Sequence, residues 1–283
     1  MIWTGRGRGI FSIAQPLRFL IAFAAMANPL HAQGTPVADE VPRHDTLRIT
    51  SRALGETRLI NVHMPPGYQA SSVARFPVLY MPDGGLDEDF PHIVHTVDSL
   101  IALGEIRPVI VVGIPNTERR RDLTGPTHLA SDSAIAKHVG GSAAFRRFIR
   151  DELIPMIQRS YRTTRERAIV GESLAGLFVV ETFLLEPALF DHYVALDPSV
   201  WWNGGAIVSS ATARLAAFDS APRTLYLASS SVADIASGTA RLAARLRATP
   251  VRNLTWEYLP RPDLTHDTIF RGVGPAALAR ALR

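Results

Sequence analysis

The chain has 283 residues, of which 47% are hydrophobic and 20% charged, and it contains no cysteine. That length and apolar content suffice for one substantial α/β core, while the missing thiols exclude disulfides, zinc–thiolate sites and a cysteine nucleophile. The formal charge of +4 includes Arg6, Arg8 and Arg18 in a leader without acidic residues, so the remainder carries 4 − 3 = +1 and has no electrostatic reason to bind nucleic acid.

Residues 1–32 read as an export signal: arginines first, then the apolar core Phe19–Ala27, then Leu30-His31-Ala32 as a cleavage site. The apolar run is too short and interrupted for a membrane span, so no stable membrane anchor is expected and the mature chain belongs in the periplasm or the medium. Residues 33–45, polar and proline-containing, are expected to form a disordered lead-in, and residues 46–283 one ordered domain. Leu47–Arg52 and Thr57–His63 alternate like paired strands about Gly55. Phe76–Met81 is a further strand that runs into Pro82-Asp83-Gly84-Gly85, and Asp89–Leu103 reads as a helix with Pro91 in its first turn. Pro108–Ile114 is nearly continuous β-branched sequence, as in a central parallel strand. Asn116–His138, polar and arginine-rich, reads as a loop on the site side. Ser142 can cap a helix with the stripe Phe145, Phe148, Ile149 and Leu153, bent at Pro155.

Ala168-Ile169-Val170 is a buried strand, and Leu174–Leu185 a helix that stops at Pro187. Strands at Tyr193–Leu196, Thr224–Ala228 and Leu254–Tyr258 follow, with a helix over Ala240–Leu246, a loop carrying His266 and a terminal helix after Pro275. Alternating strands and helices without an internal repeat imply a doubly wound, mostly parallel sheet with helices on both faces.

Between the strand at Val170 and the helix at Leu174 lies Gly171-Glu172-Ser173-Leu174-Ala175-Gly176. Small residues flank a serine at a sharp strand-to-helix turn, the nucleophile-elbow pattern G-x-S-x-G with Ala175 in the last glycine's place. Such a turn lifts the serine oxygen clear of the sheet beside a helix N-terminus that favours negative charge. His266 follows the last strand, where this fold places the base of a serine nucleophile. His92 and His95 stand at i, i+3, but no matching third ligand stands nearby, so no metal site is expected; no phosphate loop and no cofactor motif is found either.

Further segments carry a family likeness: Pro77–Gly84, Val112–Asn116 with Arg121–Thr124, Phe148–Pro155, Gly171–Phe178 and Asp197–Asn203. Taken in order over nearly all of the domain, they resemble the putative-esterase family of α/β-hydrolases. That family includes siderophore esterases, feruloyl esterases, S-formylglutathione hydrolase and mycolyltransferases. The resemblance implies the α/β-hydrolase fold, with Ser173 as nucleophile, His266 as base, and the backbone N–H groups of Leu174 and Gly85 as oxyanion hole. It also implies a small-molecule or carbohydrate ester substrate, with Trp201 and Trp202 at the pocket entrance and Arg121 available to an acidic or catecholate group. For the triad acid, many relatives carry a glutamate just after the strand matching Thr224–Ala228. Asp234 is the nearest carboxylate there and is preferred; Asp197, at the end of the preceding strand, is the rival. The expected activity is that of an exported serine esterase. The alternatives are an acyltransferase on the same machinery and a catalytically silent binding protein of the same fold; oligomeric state is left open.

Overall fold

The computed structural model describes residues 40–219 and 221–283, together with Ile2. The expected export signal, apart from Ile2, and the lead-in up to Asp39 lie outside the described residues. The strands are β1 (Asp45–Ser51), β2 (Glu56–His63), β3 (Phe76–Pro82), β4 (Ile110–Ile114), β5 (Thr163–Glu172), β6 (His192–Leu196), β7 (Arg223–Ser229) and β8 (Leu254–Pro260). They form one eight-stranded sheet in the order β1-β2-β4-β3-β5-β6-β7-β8. β1 and β2 pair antiparallel, as do β2 and β4, and every other neighbour is parallel.

Alternation along the central strands builds two apolar layers, because successive side chains leave a strand on opposite faces. Val78, Tyr80 and Ile169 join the layer beneath α2 (Ser173–Leu185), and Leu242 and Leu246 of α3 (Ala233–Ala248) bury on the same side. Leu79, Met81, Ala168 and Val170 face the other way, against Ile93, Val94 and Val97 of α1 (Phe90–Ala102) and Ile269, Phe270 and Val273 of α4 (His266–Leu282). The sheet is therefore covered on both faces and nearly all-parallel, as an α/β-hydrolase fold requires.

Four segments differ from their sequence reading. Residues 40–45, expected within the disordered lead-in, join the folded unit: Asp45 opens β1, and the Glu40 and Arg43 carbonyls are bonded by His95 and His63. Residues 116–138 hold two short helices, Arg119–Leu123 and Ala130–Ser133, rather than an irregular loop. The helix that starts at Ser142 passes through a π-turn at Ile149–Leu153 before continuing as Ile154–Ser160, with Pro155 in the first turn of that last piece. The terminal helix begins at His266, and Pro275 falls inside it. A reciprocal cap between Thr265 and Thr268 starts α4 early, and burial of Ile269, Phe270 and Val273 holds the added turns. This early helix start bears on the site.

Candidate active site

β3, β5 and β6 are sheet neighbours, and the residue immediately after each adopts a left-handed backbone: Asp83 (φ 55°), Ser173 (φ 58°) and Asp197 (φ 47°). Non-glycine residues in this region are costly and persist only where their surroundings over-determine them. Their clustering at adjacent carboxyl ends of a mostly parallel sheet marks the place where such folds gather ligands. At Ser173 the cause is the sharp turn from β5 into α2. A Cβ on Gly171 would lie 2.7 Å from the Ala175 carbonyl group, so strand and helix pass too close for any side chain there. Ala175, with no exposed surface, is accommodated because residue 171 is glycine.

The capped N-terminus of α4 brings His266 over this turn. Its Nδ1–H donates to Asp197 Oδ2 at 2.6 Å, and its Nε2 lies 3.2 Å from Ser173 Oγ. The carboxylate fixes the tautomer, leaving the Nε2 lone pair facing the hydroxyl. Asp197 has no exposed surface and receives two further bonds, from Ser230 N–H (2.6 Å) and Ser230 Oγ–H (2.7 Å). Burial alone would raise its pKa, but the bonds from His266 and Ser230 outweigh that and hold the carboxyl below the usual carboxylate range. The same Asp197 bond is the main cause that raises His266 above the ordinary histidine value, against the opposing effect of burial. Ser199, buried behind the elbow, places its hydroxyl 3.5 Å from Ser173 Oγ and donates its N–H to the Ser173 carbonyl.

The structure brings together Ser173, His266 and Asp197, and not Asp234. Asp234 lies in the first turn of α3, exposed, with no bond to His266. The position directly after β7, where the expected acid would reach the histidine, is held by Ser230. Two donors from Ser230 instead serve the carboxylate offered by the end of β6. A serine there supplies what an incoming acid on the neighbouring strand needs.

The turn after β3 faces the elbow across the β3–β5 pair. Gly84 donates its N–H to the Ile114 carbonyl, and a Cβ on it would meet the Ile114 nitrogen at 2.2 Å. Asn61 Nδ2 donates to the Gly84 carbonyl at 2.9 Å. Arg119 grips Asp83 with two bonds, of 2.8 and 2.7 Å, and Asn116 Nδ2 donates to Asp83 at 2.5 Å and to Glu88 at 2.7 Å. Gly85 N–H donates to Glu88 Oε2 at 2.7 Å. Leu174 is the second residue of α2, so its N–H belongs to the helix's first, intrahelically unpaired turn. Acidic groups surround the histidine. Burial, and secondarily the neighbouring carboxylates Asp89, Asp197 and Asp83, push Glu172 up to about 8 against the opposing charge of His266. Burial and then Asp83 push Asp89 up to about 6.

Two expectations about substrate contacts are corrected. Trp202 is only 2% exposed and donates its Nε1–H to the Gly125 carbonyl at 2.8 Å; it is a core residue, while Trp201 is 37% exposed. Arg121 is spent on Asp122, Glu56 and Glu118, so it has no fork left for an anionic group. Sequence reasoning missed Ser230, Asn116 and Glu88: Ser230 and Asn116 reach their partners because strand ends meet, while Glu88 also pairs with Gly85, three residues before it on the same turn. His92 packs edge-on against Phe270, and His95 bonds the Glu40 carbonyl at 2.7 Å.

The profile of the Esterase family, described as "Putative esterase", matches residues 51–245. Ferri-bacillibactin esterase BesA of Bacillus subtilis is 29% identical over 190 residues, which cover 60% of this chain and 63% of that protein. Siderophore triacetylfusarinine C esterase of Aspergillus fumigatus is 30% identical over 173 residues, 56% of this chain and 57% of that one. The match thus spans less than two thirds of either relative's length. Among solved structures, an IroE-like serine hydrolase from Shewanella oneidensis superposes with a TM-score of 0.76 at 27% identity, covering 84% of this chain and 79% of that one.

Proposed function

The chain belongs to the Esterase family, and from that premise we propose that it is an exported serine hydrolase that cleaves carboxylic esters through an acyl-enzyme. The observation that supports this most is the line of bonds Ser173 Oγ–His266–Asp197, with distances of 3.2 and 2.6 Å. Ser173 Oγ attacks the ester carbonyl carbon while His266 Nε2 takes its proton, and Asp197, already ionised, stabilises the imidazolium that forms. The N–H groups of Leu174 and Gly85 receive the developing oxyanion; each such donor contributes about 3 kcal/mol to the transition state. His266 then protonates the leaving alkoxide, and the alcohol departs. Water, deprotonated by the same Nε2, adds to the acyl carbon and releases the acid and Ser173.

The siderophore esters named in two relatives are the first substrates to test. With a p-nitrophenyl ester as reporter, Ser173→Ala is expected to lose at least about a thousandfold in kcat while its Tm stays at the wild-type value. Retention of activity in a folded Ser173→Ala protein would refute the nucleophile. Export rests on the leader alone, with its arginines, apolar core and Leu30-His31-Ala32. The expected outcome is a mature N-terminus near Gln33 in periplasm or medium, read by N-terminal sequencing from a native host. An intact Met1 in the cytoplasm would contradict it.

A further inference from the structure

We propose that Glu88 gates the oxyanion hole: in the resting protein its carboxylate holds the Gly85 N–H that the reaction needs, and an incoming carbonyl oxygen must displace it. The inference rests on the assignment of Gly85 as an oxyanion donor made above. An N–H carries one proton, and Gly85 directs it to Glu88 Oε2 at 2.7 Å. That is a charge-assisted bond, of the stronger class. While it stands, Leu174 is the one assigned donor left, and a carboxylate occupies the place where negative charge must develop. Both effects raise the barrier.

The contact is not needed to shape the turn. The turn's backbone is tied independently by Gly84 N–H to Ile114, by Asp89 N–H to the Asp83 carbonyl at 3.0 Å, and by Asn61 to the Gly84 carbonyl. Among the described residues, the Glu88 carboxylate accepts one further hydrogen bond, from Asn116 Nδ2, which also serves Asp83. Asp89 repels it, and Arg119, the nearby cation, attracts it through space but donates its two hydrogen bonds to Asp83. Glu88 is half-buried, so a change of rotamer takes its head to water while the backbone stays in place. The closed arrangement also depends on residue 85 lacking a side chain. A Cβ there would lie 2.9 Å from Glu88 Oε2 and 3.0 Å from its Cδ, inside ordinary contact. Glycine at 85 thus allows the carboxylate to settle directly over the donor.

The experiment compares wild type, Glu88→Gln and Glu88→Ala in the full chain, using ethylboronic acid as probe. Addition of the serine oxygen to boron gives a tetrahedral anion that presents an oxygen to the hole. Release of the donor predicts boronate inhibition about tenfold tighter in Glu88→Ala, with a parallel rise in kcat/KM for p-nitrophenyl acetate. Glu88→Gln, neutral but still able to accept, should fall between Glu88→Ala and wild type. A merely structural glutamate would move both quantities the other way and lower Tm. Boronate affinity unchanged or weakened in folded variants overturns the gate while leaving the esterase reading intact. If Glu88→Ala does not fold, Glu88→Gln alone decides, and absence of any gain in it overturns the proposal. A wild-type chain that neither hydrolyses the ester nor binds the boronate sinks the parent reading and the gate with it.

Discussion

Asp197 and Asp234 are both carboxylates at the carboxyl edge of the sheet, and what each touches separates them. Asp197 is bonded by His266 and twice by Ser230, whereas Asp234 points outward from the first turn of α3. Replacing Asp197 by asparagine keeps the shape but leaves the His266 tautomer uncontrolled and removes the charge opposite the imidazolium. The expected loss in kcat for p-nitrophenyl acetate is up to about 10⁴-fold. Asp234→Asn should stay within about twofold of wild type, as expected of an exposed residue without partners in the site. The reverse ranking, measured on the two purified variants, would mean that the histidine is oriented differently in solution. The sequence offers both acids, and position along the chain favours Asp234, which does not reach His266. What decided between them is that Ser230 fills the end of β7, a relation between two strands that no local pattern records.

At the scale of elements, the strands and the elbow were legible because burial on both faces forces unbroken apolar runs, and because a strand-to-helix turn this tight needs glycine at 171. The start of α4 was not. Pro275 suggests a helix beginning in the sequence, while the cap formed by Thr265 and Thr268 and the buried side chains after it set the start at His266. That early start is what gives the histidine a fixed helix end to stand on. A second histidine ties other elements together. His63, at the end of β2, bonds Asp98 on α1 at 3.0 Å and the Arg43 carbonyl at 2.8 Å. Burial alone would lower its pKa, but these two bonds prevail and raise it above the ordinary value of 6.5. A raised value means that the folded state binds the proton more tightly. The clasp therefore stabilises the fold fully below pH 6.5 and loses that contribution as pH rises through the raised value. Asp98→Asn should accordingly lower Tm by about 1–4 °C at pH 5.5, with the gap to wild type closing by pH 9. An equal gap at both pH values would show that the pair contributes through packing alone.

For the molecule as a whole, the two-layered core and the mostly parallel sheet place three strained residues at adjacent strand ends, and the family likeness extends over residues 51–245. Composition and alternation conveyed this architecture, including cover on both faces. They did not convey which side chains the architecture would use up: Trp202 is committed to the core and Arg121 to three carboxylates, so neither remains for substrate. Among the described residues no helix is long and apolar enough to cross a membrane. The central claim, that one serine of this chain is activated for covalent catalysis, is tested most directly by intact-protein mass spectrometry after exposure to a fluorophosphonate, with peptide mapping of the adduct. A single adduct on Ser173 is expected, absent in Ser173→Ala and formed orders of magnitude more slowly in Asp197→Asn. No adduct on the folded wild-type chain, or an adduct on another residue, would contradict it.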